Sequence, residues 1–326
     1  MHGDPQALEV PVIDLAPWRQ GRGGQRLDVA RSFGEAMSRS GFAAIVNHGV
    51  PASLEARMYA LAHAFFALPM QEKVRHTAPE QTKARGYLPL GIESVAATLA
   101  GPTPPDLCEA LVFASLQRER AGLGRPNLWP GRPPGLAAAV NEWFDAMLRL
   151  GRELMRISAV ALSLPEHWFD AAYETPSLTL RYVCYPEQPA PPAEGQMRYG
   201  AHHDYGGLTL LRQDEVGGLQ ICDREGRWHD VAPVPGSFVI NVGDLMSRWT
   251  NGLWRSTLHR VVNPPPDARG RRRLSMVAFT GPAPQTEVAV LPSCVSPGRP
   301  PRYGPVVAQD YVRRKLEASM GERGAA

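Results

Sequence analysis

Cysteine is scarce in this chain: Cys108, Cys184, Cys222 and Cys294 are the four among 326 residues, and none belongs to a Cys-x-x-Cys pair. That spacing argues against a zinc ribbon and against a disulfide framework, and leaves buried free thiols as the simple reading. A surplus of one charge sign is also missing, because 35 Lys and Arg against 32 Asp and Glu leave a net charge of +3. So small a bias gives no electrostatic footprint for nucleic acid or an anionic membrane. Long apolar runs are absent, and the first thirty residues carry charges, Pro11, Pro17 and several glycines, so neither membrane spanning nor export is expected. The expected class is a cytoplasmic enzyme acting on a small molecule, with an oligomeric state that the sequence leaves open.

With 44% apolar residues the chain can bury a large core, as one elaborated domain or as two. Val10 to Leu15 is a short apolar run. Leu27 to Ser40 has helical spacing that stops at Gly41, Phe42 to Val46 reads as a strand leading into a turn at His48, and Leu54 to Leu68 reads as a helix closed by Pro69. This is a mixed α/β opening. Between about 76 and 133, Pro79, Pro89, Pro102, Pro104, Pro105, Pro126 and Pro130 predict irregular, loop-like cover. Leu136 to Leu164 carries sustained helical periodicity through Trp143, Leu148, Leu154, Ile157 and Leu162, before Pro165.

From Leu178 the pattern becomes short β-rich runs: 178–185, 208–212, 218–221, 228–231, 238–242, 254–262 and 273–280. Their density predicts an α+β fold whose core is an antiparallel sandwich or jelly roll, with flanking helices and a closing helix over Val306 to Leu316. The organisation we expect is an N-terminal region with substrate-covering loops over 1–133. Residues 134–326 would then hold the long helix, the catalytic core at about 176–284 and the last helix.

His202-His203-Asp204 contains a His-x-Asp unit, and in extended backbone residues two apart share a face, so His202 and Asp204 can converge on one ion. His2-Gly3-Asp4 has the same form, but a chain terminus rarely holds a rigid site. His259, on a different predicted strand, is the candidate third ligand. Two imidazoles and one carboxylate on one octahedral face leave positions open, which suits iron(II) oxygen chemistry rather than closed structural zinc. For a lone histidine the default is a hydrogen-bonded structural role. That reading is kept for His48, His63, His76, His167 and His229, while His203 either supports the ligands or faces solvent.

The stretch Tyr199-Gly200-Ala201-His202-His203-Asp204-Tyr205-Gly206-Gly207-Leu208-Thr209-Leu210-Leu211, followed by 214–220, resembles the isopenicillin N synthase-like family of iron(II)/2-oxoglutarate-dependent oxygenases. So do Asn241-Val242-Gly243-Asp244-Leu245, Trp249-Thr250-Asn251-Gly252 and Ser256 to Pro264, and in the N-terminal region Val10 to Leu15, Gly41 to Pro51, 85–87 and 105–107. The resemblance implies a distorted double-stranded β-helix, iron(II) as the metal, 2-oxoglutarate and O2 as cosubstrates, and ascorbate as a candidate reductant.

Iron(II) alone does not hold the four electrons that reduce dioxygen, so a cosubstrate and the substrate each contribute two. A dicarboxylic keto acid needs a cationic anchor. On a strand Arg273 and Ser275 share a face, so guanidinium and hydroxyl can bind one carboxylate together, and the resemblance gives that role to the family's Arg-x-Ser motif. Arg271 and Arg272 read as a solvated basic turn. Tyr185 matches a family tyrosine that hydrogen-bonds the 2-oxoglutarate tail, whereas Val183 departs from the asparagine often found there. Alternation puts Arg181 on the same face as Tyr185, where a buried guanidinium needs an anionic or strongly polar partner from substrate, cosubstrate or a protein acid such as Glu93. Phe279 sits where the family has an aromatic that stacks on substrate, and the loops near Arg85, Tyr87 and Glu93 are expected to shape the pocket. The expected reaction is hydroxylation, desaturation or cyclisation of a small organic substrate, with release of succinate and CO2. A 2-oxoglutarate-independent oxidase or an ethylene-forming enzyme is the alternative, and a metal-free binding protein would be recognised by failure to take up iron.

Overall fold

The computed structural model describes residues 8–78, 85–101, 103–122 and 126–320. His2, Asp4, Pro79 and Pro102, weighed above, lie outside them. Twelve strands build two facing sheets: β1 (Val12–Asp14), β2 (Phe42–Val46), β3 (Gly86–Leu88), β4 (Glu109–Ala114), β5 (Ser177–Tyr185), β6 (Tyr199–His202), β7 (Leu208–Gln213), β8 (Leu219–Cys222), β9 (Trp228–Asp230), β10 (Phe238–Val242), β11 (His259–Val261) and β12 (Arg273–Gly281). The larger sheet runs β1-β2-β10-β7-β12-β5-β4-β3 and the smaller β6-β11-β8-β9. Strands from before and after residue 133 thus share one sheet. Except for β1 on β2, the pairings are antiparallel, as the short alternating runs predict.

Strand alternation divides the interior in two. On β12, Leu274, Met276 and Ala278 point to the outer face, where with Leu180, Tyr182, Cys184, Leu210 and Ile240 they meet the helices. Those helices are Gly23–Arg39, Ala52–Phe66 and the long Leu136–Ala161. The last buries Leu136, Val140, Trp143, Phe144, Met147, Leu150 and Leu154, which recur at helical spacing on one face. Trp143 stacks on Phe238 with centroids 5.9 Å apart, tying the helix to β10. Each such side chain contributes about 2 kcal/mol of burial, which fixes the parity of the strands. The opposite parity, Arg273, Ser275, Val277 and Phe279, therefore faces the smaller sheet and lines a cavity between the two layers.

Several segments depart from the sequence expectation, Gly86–Leu88 and Tyr199–His202 among them, which are strands outside the predicted β runs. Glu109–Ala114 is a buried strand of the larger sheet, not loop cover: Pro104, Pro105 and Pro126 flank its apolar run rather than interrupt it. Of the predicted strand 254–262 only His259–Val261 is laddered. The backbone before it bonds elsewhere, Trp254 N–H to Thr250 Oγ1 and Arg255 N–H to the Met37 carbonyl. Asp244–Trp249 is a short helix with no predicted counterpart. Among the described residues no helix is long and apolar enough to cross a membrane.

Candidate active site

The β6–β11 register sets His202 directly opposite His259, and the chain leaving β6 brings in Asp204. One ligand atom from each of His202, Asp204 and His259 lies within 4.8 Å of the other two. His202 Nε2 is 3.6 Å and His259 Nε2 3.8 Å from Asp204 Oδ1. Carbonyls that can only accept fix the imidazoles: His202 Nδ1 donates to Gly200 O at 2.9 Å and His259 Nδ1 to Thr257 O at 3.0 Å. Each Nε2 lone pair is thereby free to face an ion. Burial, and then the neighbouring His259, hold His202 below the ordinary imidazole range, so it stays neutral.

Asp204 is aimed in the same way. Its Oδ2 accepts Thr209 Oγ1–H at 2.6 Å and Asn241 Nδ2–H at 2.7 Å, which leaves Oδ1 toward the histidines. Burial favours the neutral acid here, but His259, His202 and these two hydrogen bonds outweigh it and keep the carboxyl below its usual range. The Asp204 carbonyl accepts the Asp244 N–H at 2.8 Å, while Gly207 N–H bonds the Thr280 carbonyl at 2.7 Å. Only glycine fits beside that turn, since a Cβ on Gly243 would stand 2.4 Å from the Gly206 oxygen. A His–His–carboxylate set with one side open fits iron(II).

Arg273 is fully buried in the wall of the same cavity. Its Nη1 donates to Ser275 Oγ at 2.6 Å, its Nη2 to Gln213 Oε1 at 3.1 Å, and its Nε has no partner among the described residues. The guanidinium lies over the Tyr185 ring, 4.8 Å from its centroid. Burial pushes the Tyr185 phenol up to about 12, so it remains a proton donor. A buried guanidinium with a spare Nε–H, a hydroxyl and a phenol fits a carboxylate. Arg271 is exposed, in keeping with the expected solvated turn, whereas Arg272 is half-buried with its Nε out of solvent.

Among the expected substrate residues, Arg181 and Phe279 line the cavity; Glu93, Arg85 and Tyr87 do not. Glu93 grips Arg181 through both carboxylate oxygens, one of them at 3.0 Å from Nη1. The Arg181 charge is therefore met by the protein acid, and no substrate anion is needed to balance it. Tyr87 is buried in the helix-side core, its hydroxyl 2.5 Å from Glu109 Oε2. It turns away because β3 presents it to the outer face. Arg85 is half-buried and acts electrostatically on Glu119. Tyr199 was not singled out for the pocket, yet its ring packs edge-on against His202 at 4.9 Å and under Arg181 at 5.4 Å. Strict alternation would turn Tyr199 away from the face of His202; the irregular register of the β6–β11 pair, three residue steps on β6 against two on β11, brings both to the cavity, and no local signal in the sequence marks it. The cavity holds about 530 Å³ of empty space, mouth included, with Phe42, Val183, Leu211, Leu219, Val261 and Val277 as its apolar wall.

Two of the histidines read as structural, His48 and His229, are hydrogen-bonded within the fold. His48 Nδ1 accepts the Val50 N–H and its Nε2 donates to the Gly236 carbonyl at 2.9 Å, while His229 bridges Leu8 N–H and Asp223. His203 Nδ1 donates to the Ser256 carbonyl at 2.9 Å, three residues before His259, so it braces the approach to that ligand.

Comparison with known proteins agrees with this geometry. Residues 174–282 match the 2OG-Fe(II) oxygenase superfamily, and residues 10–132 match the non-haem dioxygenase in morphine synthesis N-terminal family. The chain is 34% identical over 331 residues to the 2-oxoglutarate-Fe(II) type oxidoreductase hxnY of Emericella nidulans, covering 97% of this chain and 91% of that one. It is 33% identical to the validamycin A dioxygenase of Streptomyces hygroscopicus subsp. limoneus, over 89% of this chain and 81% of the relative. A full-length Neurospora crassa protein crystallised in complex with alpha-KG and thymine superposes with a TM-score of 0.85 at 28% identity, over 96% of this chain and 98% of that one. The chain belongs to the 2OG-Fe(II) oxygenase superfamily, enzymes that use iron(II) and 2-oxoglutarate.

Proposed function

We propose that His202, Asp204 and His259 hold iron(II), that Arg273, Ser275 and Tyr185 hold the far carboxylate of 2-oxoglutarate, and that a small uncharged substrate is oxidised beside Arg181, Tyr199 and Phe279. One observation carries the reading. Arg273 is fully buried in the cavity that the His–Asp–His cluster also lines, and its hydrogen bonds go to neutral acceptors with Nε left over. An uncompensated buried guanidinium is costly, and a carboxylate matches its fork.

When bound, iron(II) and 2-oxoglutarate supply the oxidation of a substrate C–H bond, with succinate and CO2 released. The chain's own residues prepare that chemistry. His202 and His259 present Nε2 lone pairs, Asp204 presents Oδ1, and Thr209 and Asn241 hold the carboxylate in that pose. Arg273 and Ser275 fix the orientation of the keto acid, while the apolar wall of Phe42, Leu219 and Val261 keeps water from the reacting carbon. Glu93 neutralises Arg181, so a neutral molecule with an acceptor for Arg181 and a flat or apolar face for Phe279 suits the seat. Validamycin A in one relative's name and thymine bound in another do not converge on one compound, so the cavity is the better guide. Four free cysteines suit a reducing, cytoplasmic setting.

The test is oxygen uptake and succinate release with and without 2-oxoglutarate. Uptake that requires 2-oxoglutarate and yields succinate is expected; substrate-driven uptake in its absence would replace this reading with a cosubstrate-independent oxidase.

A further inference from the structure

The geometry points to Gln213 as a positioning residue of the cosubstrate pocket: its amide fixes the Arg273 guanidinium without neutralising it and adds a donor for the same carboxylate. The inference rests on the reading of Arg273 as the 2-oxoglutarate anchor. Gln213 is the last residue of β7 and stands directly opposite Ser275 in the β7–β12 register. Thr209 and Leu211, four and two residues earlier on the same strand face, line the cavity. The side chain is 4% exposed.

Its Oε1 accepts Arg273 Nη2 at 3.1 Å, while Ser275 Oγ accepts Nη1 at 2.6 Å. Two acceptors on two different nitrogens define the plane of the guanidinium. On the donor side, Arg273 Nε and Gln213 Nε2 are both buried without a partner among the described residues. Unfulfilled donors on a buried cation and on the amide that holds it are what an incoming carboxylate can satisfy.

The neutrality of the amide matters as much as its reach. A carboxylate at this position would form an internal ion pair with Arg273 and compete with the ligand. The adjacent acid, Asp214, is committed elsewhere, its oxygens accepting the Val216 and Leu274 N–H groups. Arg198, an electrostatic neighbour of Arg273 that is 1% exposed, donates to the Arg271 carbonyl rather than to an acid. The positive charge of this end is thus kept in hand for a ligand.

The test compares Gln213→Glu, Gln213→Ala and Arg273→Met as iron-loaded proteins without oxygen, titrated with 2-oxoglutarate by calorimetry and melted with and without it. Gln213→Glu is expected to bind at least about tenfold more weakly, to keep its iron, to melt no lower than the parent without ligand, and to show a smaller rise in Tm than the parent at the same 2-oxoglutarate concentration. Gln213→Ala is expected to weaken binding about threefold, and it decides the matter alone should the glutamate variant fail to fold. Parent-like affinity in the Gln213 variants, with Arg273→Met losing it, overturns this inference and leaves the cosubstrate reading standing. Parent-like affinity in Arg273→Met overturns the reading beneath it.

Discussion

His202 and His259 stand directly opposite each other across the β6–β11 pair, their ring centroids 4.2 Å apart. One hydrogen-bonded strand pair thus aims both imidazoles, and each is locked by the carbonyl two residues before it. Asp204 stands off the ladder and depends on side chains of the facing sheet, Thr209 on β7 and Asn241 on β10. The proposed metal site is therefore a joint between the two layers.

That division gives a graded prediction for iron retention. Alanine at His202, Asp204 or His259 should bring turnover close to background. Asn241→Leu keeps every ligand but removes one of the two hydrogen bonds that hold Asp204 Oδ2, leaving Thr209 alone on it, and should weaken iron binding by about tenfold or more. Iron content after dialysis measures both effects. A ligand variant that keeps its iron and most of its activity would take that residue out of the set.

Arg273→Lys retains the charge but replaces a planar fork with a point donor. The loss of 2-oxoglutarate affinity should be on the order of 1–3 kcal/mol, read from the 2-oxoglutarate dependence of succinate release. An unchanged apparent affinity would mean that Arg273 serves the substrate instead.

The parts of this site that were legible in the sequence are those set by strand parity. Arg273 with Ser275, and Arg181 with Tyr185, share faces in the chain and share the cavity wall in the structure. Helices with a strong apolar stripe, such as 136–161, were legible for the same reason. Less readable were features that depend on the partner layer. Nothing local says that Thr209, Asn241 and Gln213 turn their polar ends toward Asp204 and Arg273, because each looks like an ordinary polar residue in a strand. Tyr87 was placed wrongly since its loop neighbours suggested a mouth, whereas pairing of β3 with β4 makes it core. Glu109–Ala114 was hidden by the prolines on either side of it.

Asp106 offers a pH test of how the covering loop is held. Its Oδ2 accepts the Val95 N–H and its Oδ1 the Gly200 N–H, each at 2.9 Å, so one carboxylate joins the loop to the strand of His202. Burial pushes this carboxyl up to about 6 in spite of those two bonds. A folded-state value above the unfolded one means that the stabilising contribution is complete below the ordinary carboxylate range and is lost as pH rises through about 6. Relative to Asp106→Asn, the parent should therefore lose on the order of 2–3 kcal/mol of stability between about pH 4 and pH 7. Denaturant melts at several pH values measure this, and parallel profiles for the two proteins would refute it.

The Arg181–Glu93 pair makes the sharpest statement about substrate charge. The Arg181 side chain is 13% exposed and that of Glu93 26%, so removing either partner leaves a largely buried charge unpaired. Arg181→Met and Glu93→Gln should each lower stability by about 1–3 kcal/mol, with the double variant recovering part of that loss. Their effects on selectivity should diverge. Glu93→Gln releases the Arg181 guanidinium into the cavity and should shift turnover toward anionic compounds, whereas Arg181→Met should depress turnover of neutral ones without gaining any. A panel of matched neutral amides and their carboxylates, followed through 2-oxoglutarate-dependent succinate release, separates the two effects. If Glu93→Gln and Arg181→Met both melt lower but keep the parent's order of preference across the panel, the pair only braces the wall between β5 and the loop that carries Glu93, and the assignment of Arg181 to the substrate fails.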